Sequence, residues 1–212
     1  MERRFYPVRA TWVLLALLLL AALLGGVSTD VAELRRLGAR PPLYGFHPRP
    51  QHLLAPLFLH GGWVHFGCNF LSLSMVGAAL EIVLGSLGLI YVFFFAGIAS
   101  LSASFLANPQ VTSLGCSGAV FGIWAARVVH CWCPPREEER FRFVALFIFS
   151  VLLTIVPARM GVNVDHVGHF AGMLGGVIAC LAFRVGGVVR WGALLALLGW
   201  AGWVARPPWS PF

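Results

Sequence analysis

Apolar residues in this chain fall in long runs, not at alternating positions or at every third and fourth. The runs cover 11–27, 63–84, 87–106, 117–131, 141–157, 167–183 and 191–205. A membrane-spanning helix needs roughly 17–25 mostly apolar residues. Most of the runs meet that length, and the fourth and seventh are short. The pattern predicts an all-α polytopic membrane protein: a six-helix transmembrane bundle followed by a seventh helix at the C-terminus. The boundaries are an N-terminal stretch at 1–10, a six-helix core at 11–186, and a seventh helix with its tail at 187–212. Run 11–27 follows Arg3, Arg4 and Arg9 and would also suit a secretory signal peptide. Residues 28–59 differ from the rest. They carry Asp30, Glu33, Arg35, Arg36, Arg40 and Arg49, with prolines at 41, 42, 48, 50 and 56. This predicts a long irregular loop. Its apolar pieces Leu53-Leu54 and Leu57-Phe58-Leu59 suit the membrane interface. A loop of this length is often functional.

Composition agrees with the runs. The chain is 59% hydrophobic and 11% charged, with mean hydropathy +0.84, whereas soluble domains run near half apolar and a quarter charged. All 15 basic residues are arginine, which fits a GC-rich genome and a bacterial inner membrane. The net charge of +7 does not imply nucleic-acid binding, because the arginines sit at the ends of apolar runs and form no basic stripe. With the N-terminus in the cytoplasm, arginines 3, 4, 9, 127, 136, 140, 142, 184 and 190 lie inside. Arginines 35, 36, 40, 49, 159 and 206 lie outside. This bias has the expected direction. The cysteines, among them Cys131 and Cys133 in a C-x-C, form neither a zinc pattern nor a disulfide framework.

Ionisable and polar groups inside spans are costly and mark function. The second run opens with His60, His65 and Asn69, the last two on one helix face. The fourth opens with Gly115-Cys116-Ser117-Gly118, and the sixth with Asp165, His166 and His169. Because spans alternate in direction, these three runs begin on the same side of the membrane, the external side. A serine at the first turn of a helix lies beside unpaired amides and a partial positive charge. Gly118 and Gly122 recur at four-residue spacing on the fourth run, as do Gly168, Gly172 and Gly176 on the sixth. Such faces let membrane helices approach closely. If the two faces meet, Ser117 comes within reach of His169, an activated-nucleophile arrangement. His166 lies about 60° away around the helix, at about 100° per residue, so the two histidines cannot both face Ser117. Asp165 reads as the N-cap of the sixth helix, Glu81 as a structural residue and His60 as a structural loop residue. His166, His169 and Asp165 would also suit a metal, but no H-E-x-x-H is present to activate water.

Taken together, His60…His65…Asn69, Gly77-x-x-x-Glu81 with Gly85-Ser86, Gly115-x-Ser117-Gly118 and His169-x-x-Gly172-x-x-x-Gly176 resemble the rhomboid family of intramembrane serine proteases, in family order. The resemblance implies a Ser117–His169 dyad. It also implies an oxyanion hole made by the Ser117 backbone N–H with the side chains of His65 and Asn69. Gly115, Gly118 and Gly172 support the site. Phe121 matches the aromatic beside the catalytic imidazole, a position that is Tyr in many members. Gln51-His52 stands where the family's first loop usually has Trp-Arg. The family needs its first helix, so run 11–27 is read as a span. The implied partners are transmembrane protein substrates and membrane lipids, with no cofactor and no metal. The competing reading is an inactive relative that binds membrane clients for trafficking or degradation. Inactive relatives generally lack the serine or the histidine, and both are present here.

Overall fold

A computed structural model describes residues 6–39, 50–108, 111–131 and 164–204, with Phe141 and Ile148 as isolated helical positions. The fifth run, 141–157, therefore lies outside the described residues apart from those two. Where it is described, the chain is an α-helical bundle, with one isolated bridge between Val27 and His60.

Helix α1, Ala10–Ala21, continues through a π-turn, Ala22–Gly26. It ends where Leu24 and Gly25 leave helical geometry, Gly25 at φ 90°. The loop expected to be irregular contains a short helix, α2, Val31–Arg36. Its ends follow from the sequence. Asp30 caps the Ala32 amide at 2.8 Å, Glu33 lies in the first turn, and Arg35 and Arg36 lie in the last, matching the helix dipole at both ends.

Helix α3, Trp63–Ala107, takes in both the second and the third run. Its only non-helical residue is Gly85, at φ 78° and ψ 167°. The two-residue connection expected there shrinks to this one glycine, which no Cβ-bearing residue would replace without strain. A Cβ at Gly85 would lie 3.5 Å from the Tyr6 ring. The limbs on either side, 63–84 and 86–107, each have the length of a span.

Helix α4, Ser117–Cys131, is short because it is central. Residues 118–124 are all buried, so this helix is surrounded by protein. Helix α5 is His166–Val185, and α6 is Gly187–Val204. The seventh run thus becomes helical four residues earlier than expected, directly after Gly186 at φ 77°. Helices α3, α5 and α6 are long and apolar enough to cross a membrane, and α1 with its π-turn is a shorter apolar helix. On α6, Val188, Leu195 and Trp203 are 88%, 68% and 65% exposed, as a lipid-facing stripe requires. The protein is an integral, multi-pass membrane protein.

Two sets of polar ties hold the ends of the bundle. At one end, Arg127 Nε donates to the Ala79 carbonyl at 3.0 Å and the Tyr91 hydroxyl to the Arg190 carbonyl at 2.7 Å. Here the fully buried Glu81 carboxylate also receives the amides of Arg9 (2.9 Å), Ala10 (2.6 Å) and Thr11 (2.8 Å). The hydroxyls of Thr11 (2.7 Å) and Ser86 (2.6 Å) complete its shell. Helix α1 has no side-chain cap of its own, so Glu81 satisfies amides that would otherwise be orphaned. Its charge also faces the positive end of the helix. At the other end, Ser104 and Ser113 are joined at 2.6 Å, and Asn108 donates to Asp165 at 3.4 Å.

The Glu81 cap generates a prediction. Glu81→Ala should lower the unfolding free energy in detergent by on the order of 3 kcal/mol, the scale of a buried charge-assisted hydrogen bond together with the donors it leaves unmet. Thermal and denaturant unfolding would measure this. A change below about 0.5 kcal/mol, the size of an ordinary surface substitution, would mean that the cap contributes nothing.

Candidate active site

The site is built at the N-terminus of α4. The chain enters it through Gly115, at φ 99°, whose amide donates to the Pro56 carbonyl at 2.8 Å. Cys116 follows, fully buried, with its Sγ 3.9 Å from His60 Nε2. Ser117 is the first residue of α4, so its amide has no intrahelical acceptor.

The partner comes from α5. Asp165 caps that helix by accepting the Gly168 amide at 2.9 Å, which fixes the first turn. His169 stands at the end of that turn, half-buried, and its Nε2 lies 2.7 Å from Ser117 Oγ. The Phe121 ring lies against the imidazole, with centroids 4.7 Å apart and planes tilted by 34°. His166 is exposed.

Glycines allow this approach. A Cβ at Gly172 would fall on the Gly118 carbonyl oxygen, and one at Gly176 on the Gly122 carbonyl oxygen. One at Gly122 would meet the Gly172 carbonyl oxygen at 2.7 Å, besides the Ala96 side chain. The small faces of α4 and α5 therefore meet backbone to backbone. The second limb of α3, 86–107, closes the third side with small residues. A Cβ at Gly175 would lie 2.9 Å from that of Ala99, and one at Gly118 would collide with the Ser100 hydroxyl.

His65 lies against Gly115: its Cε1 and Nε2 are 2.8 Å from where a Gly115 Cβ would sit. The Asn69 amide is directed to its own helix, donating to the His65 carbonyl at 3.0 Å, and stays within 3.9 Å of the same Gly115 position. His60 is fully buried, edge-on to both His65 (5.2 Å) and Phe66 (5.4 Å). Burial, and then the neighbouring His65, hold its pKa below the usual imidazole value, so it is a neutral packing group. A cavity of about 450 Å³ reaches the site at His65 and Asp165, between the first loop and residues 111–114. Its wall includes Ser28, Thr29, Asn108 and Thr112.

Ser117, His169, His65, Asn69, Gly115, Gly118, Phe121 and Gly172 lie in this one region, with His60, Asp165 and His166 beside it, whereas Glu81 and Ser86 of the same sequence pattern lie at the other end of the bundle. Several contributors were missed: Ser100 on α3, Asn108 at its C-cap, and the backbone of Pro56 and Gly61. Ser100, Ser104 and Asn108 form a four-residue-spaced polar stripe in the third run. The rule that polar groups in spans mark function applies to that stripe as well as to the histidines. The backbone groups carry no side-chain signal.

A model of the Rhomboid domain matches residues 48–185, well over half of the chain. The chain belongs to the rhomboid family. It is similar to Rhomboid protease GluP of Bacillus subtilis, 31% identical over 177 residues, which cover 81% of this chain and 34% of that protein. It is also similar to Rhomboid-like protease 3 of Toxoplasma gondii, 33% identical over 129 residues, covering 59% and 48%. RHOMBOID-like protein 2 of Arabidopsis thaliana is 34% identical over 136 residues, covering 62% and 41%. The chain spans between about a third and a half of the length of these curated relatives. The matched rhomboid region takes in α3, α4 and α5, and so the whole of the site.

The helix contact gives a stability prediction with an internal control. Gly172→Val forces side-chain atoms onto the α4 backbone and should cost about 1–3 kcal/mol, the scale of an overpacked core. At Gly192 a Cβ would meet nothing within 4 Å, and Gly192→Val should leave the melting temperature unchanged. Equal effects of the two substitutions would show that the close approach does not hold the helices.

Proposed function

We propose that the protein is an intramembrane serine endopeptidase that cleaves transmembrane segments of other membrane proteins with a Ser117–His169 dyad. The observation that carries this reading is the 2.7 Å contact between Ser117 Oγ and His169 Nε2, made at a helix N-terminus inside a membrane bundle. Membership of a family whose relatives include named proteases supports it.

The chemistry follows from the contact. For Oγ to be activated, His169 Nε2 must be the acceptor, so the neutral ring carries its proton on Nδ1. Ser117 Oγ attacks the scissile carbonyl carbon while Nε2 takes the hydroxyl proton. The carbonyl oxygen gathers negative charge and is held by the Ser117 amide and the side chains of His65 and Asn69. The tetrahedral adduct collapses, the C–N bond breaks, and His169 passes its proton to the leaving amine. Water, with His169 again as base, releases the acyl group. No carboxylate holds the imidazole in this scheme. The Phe121 ring orients it instead, which suits a slow catalyst. The cavity that ends at His65 and Asp165, with Ser28, Thr29, Asn108 and Thr112 in its wall, supports entry of water from the side of the first loop.

A helical substrate keeps its amides hydrogen-bonded, so a segment must unwind before it is cut. Cleavage is therefore expected near the outer face, at small or helix-breaking residues. The topology proposed is N-terminus inside with Ser117 toward the exterior, in a bacterial inner membrane.

Cleavage of a generic membrane-helix reporter by the protein in lipid tests the reading. Ser117→Ala and His169→Ala should abolish cleavage, and the exposed His166→Ala should retain most of it. Asn69→Ala should lose no more than about 10²-fold, because one donor of an oxyanion site is worth about 10²–10³ and the others remain. Cleavage by Ser117→Ala, or none by the wild type, would overturn the protease reading in favour of an inactive client-binding relative.

A further inference from the structure

His65 is the third residue of α3, and its Nδ1 accepts a hydrogen bond from the Gly61 backbone amide at 3.3 Å. A backbone N–H can only donate, so Nδ1 must present its lone pair. An imidazole with a bare Nδ1 carries its proton on Nε2. The charged ring, with protons on both nitrogens, would set two N–H groups against each other. We propose that the Gly61 backbone amide is a positioning group for the reaction, fixing His65 as the neutral tautomer whose Nε2–H is the oxyanion donor beside Ser117. The tautomer follows from the geometry alone; its use on an oxyanion rests on the protease reading.

The local structure explains why the amide is available. Gly62 is the N-cap of α3, at φ 102° and ψ 163°, and makes no side-chain cap. In a capping box, a Glu or Gln at the third helical position reaches back to an unpaired amide at the helix start. His65 occupies that third position and does the same with a ring nitrogen, one residue further back. Capping the helix and setting the tautomer are thus one interaction.

The other edge of the ring lies over the catalytic loop. Nε2 and Cε1 fill the space that a side chain on Gly115 would need, 2.8 Å from its Cβ position. The Gly115 amide is committed to the Pro56 carbonyl at 2.8 Å, so at this point the donor is His65 and not the loop backbone. The His60 ring, edge-on at 72°, limits rotation of His65. The bond from Asn69 to the His65 carbonyl holds the backbone beneath it. His65 therefore accepts at the δ position, which sets the tautomer, and donates at the ε position, and only the ε donor faces the oxyanion. Glutamine places an amide nitrogen near Nε2, whereas asparagine places its amide near Nδ1.

Two measurements test this, on the full chain in lipid. The first is a nitrogen-15 spectrum of histidine-labelled protein, with the His65 signals identified by their loss in His65→Gln. A protonated Nε2 and a bare Nδ1 are expected. A proton on Nδ1, or an even mixture of tautomers, would overturn the inference, whether or not the protein cleaves. The second is reporter cleavage. His65→Gln should stay within about tenfold of wild type, and His65→Asn should fall by about 10²-fold or more, the scale of a lost oxyanion donor. Asparagine equal to or better than glutamine, in variants that melt together, would overturn the assigned role. A wild type that shows the expected spectrum but cuts nothing would count against the protease reading while leaving the tautomer in place.

Discussion

The arrangement depends on one contact, the backbone-to-backbone meeting of α4 and α5. Between membrane helices there is little hydrophobic driving force, because lipid tails are as apolar as side chains, and close packing must supply the association. Gly118 and Gly122 on one helix and Gly172 and Gly176 on the other leave no Cβ at the points where the two backbones meet. Ser117 and His169 lie at the end of that seam where both helices begin and reach each other at 2.7 Å. Larger residues would hold the helices apart and leave the hydroxyl and the imidazole as two separate polar groups in a membrane. The short α4 follows from the same constraint, since a helix surrounded by protein has no need to match the bilayer.

The rest of the bundle fixes the ends of this seam. At one end the Glu81 carboxylate gathers the start of α1 and the Ser86 hydroxyl, tying α1 to both limbs of α3. At the other, polar side chains join α3 to the elements that carry the site: Ser104 to Ser113 and Asn108 to Asp165. The first loop is tied in too. The His60 amide donates to the Gly26 carbonyl at 2.8 Å, and both Nε and Nη2 of Arg35 donate to Thr112 Oγ1. Leu34, Ala39 and Leu59 form a small core there with Leu114 against it. Residues 111–116, which deliver Ser117, are thus held from the loop as well as from the membrane. The proposed dyad has no carboxylate and needs such fixed surroundings, with the Phe121 ring packed on the imidazole.

Much of this was legible in the sequence because membrane proteins expose their rules. Uninterrupted apolar runs marked the helices, and the few polar residues within them marked the site. Four-residue glycine spacing on two runs implied the contact that joins Ser117 to His169. Other features were hidden for physical reasons. The hairpin at Gly85 looked like two runs with a short linker, since a single positive-φ glycine is enough to break the helix. The first loop read as irregular because its prolines outweighed the Asp30 cap and the arginines that frame α2. The roles of the Gly61 amide and the Pro56 carbonyl could not be read, because every residue but proline carries that amide and all carry that carbonyl. Glu81 was legible as structural but not as the cap of a helix some 70 residues earlier, because nothing in a single sequence pairs distant positions.

The central claim is that the glycine seam makes Ser117 a nucleophile by placing it on His169. Reaction with a serine-directed fluorophosphonate, followed by peptide mapping, tests it most directly, because it needs no substrate. The account predicts one adduct, on Ser117, in the wild type, and none when His169 is replaced by alanine in a protein that still folds. Labelling at another residue, or equal labelling of Ser117 without His169, would contradict it.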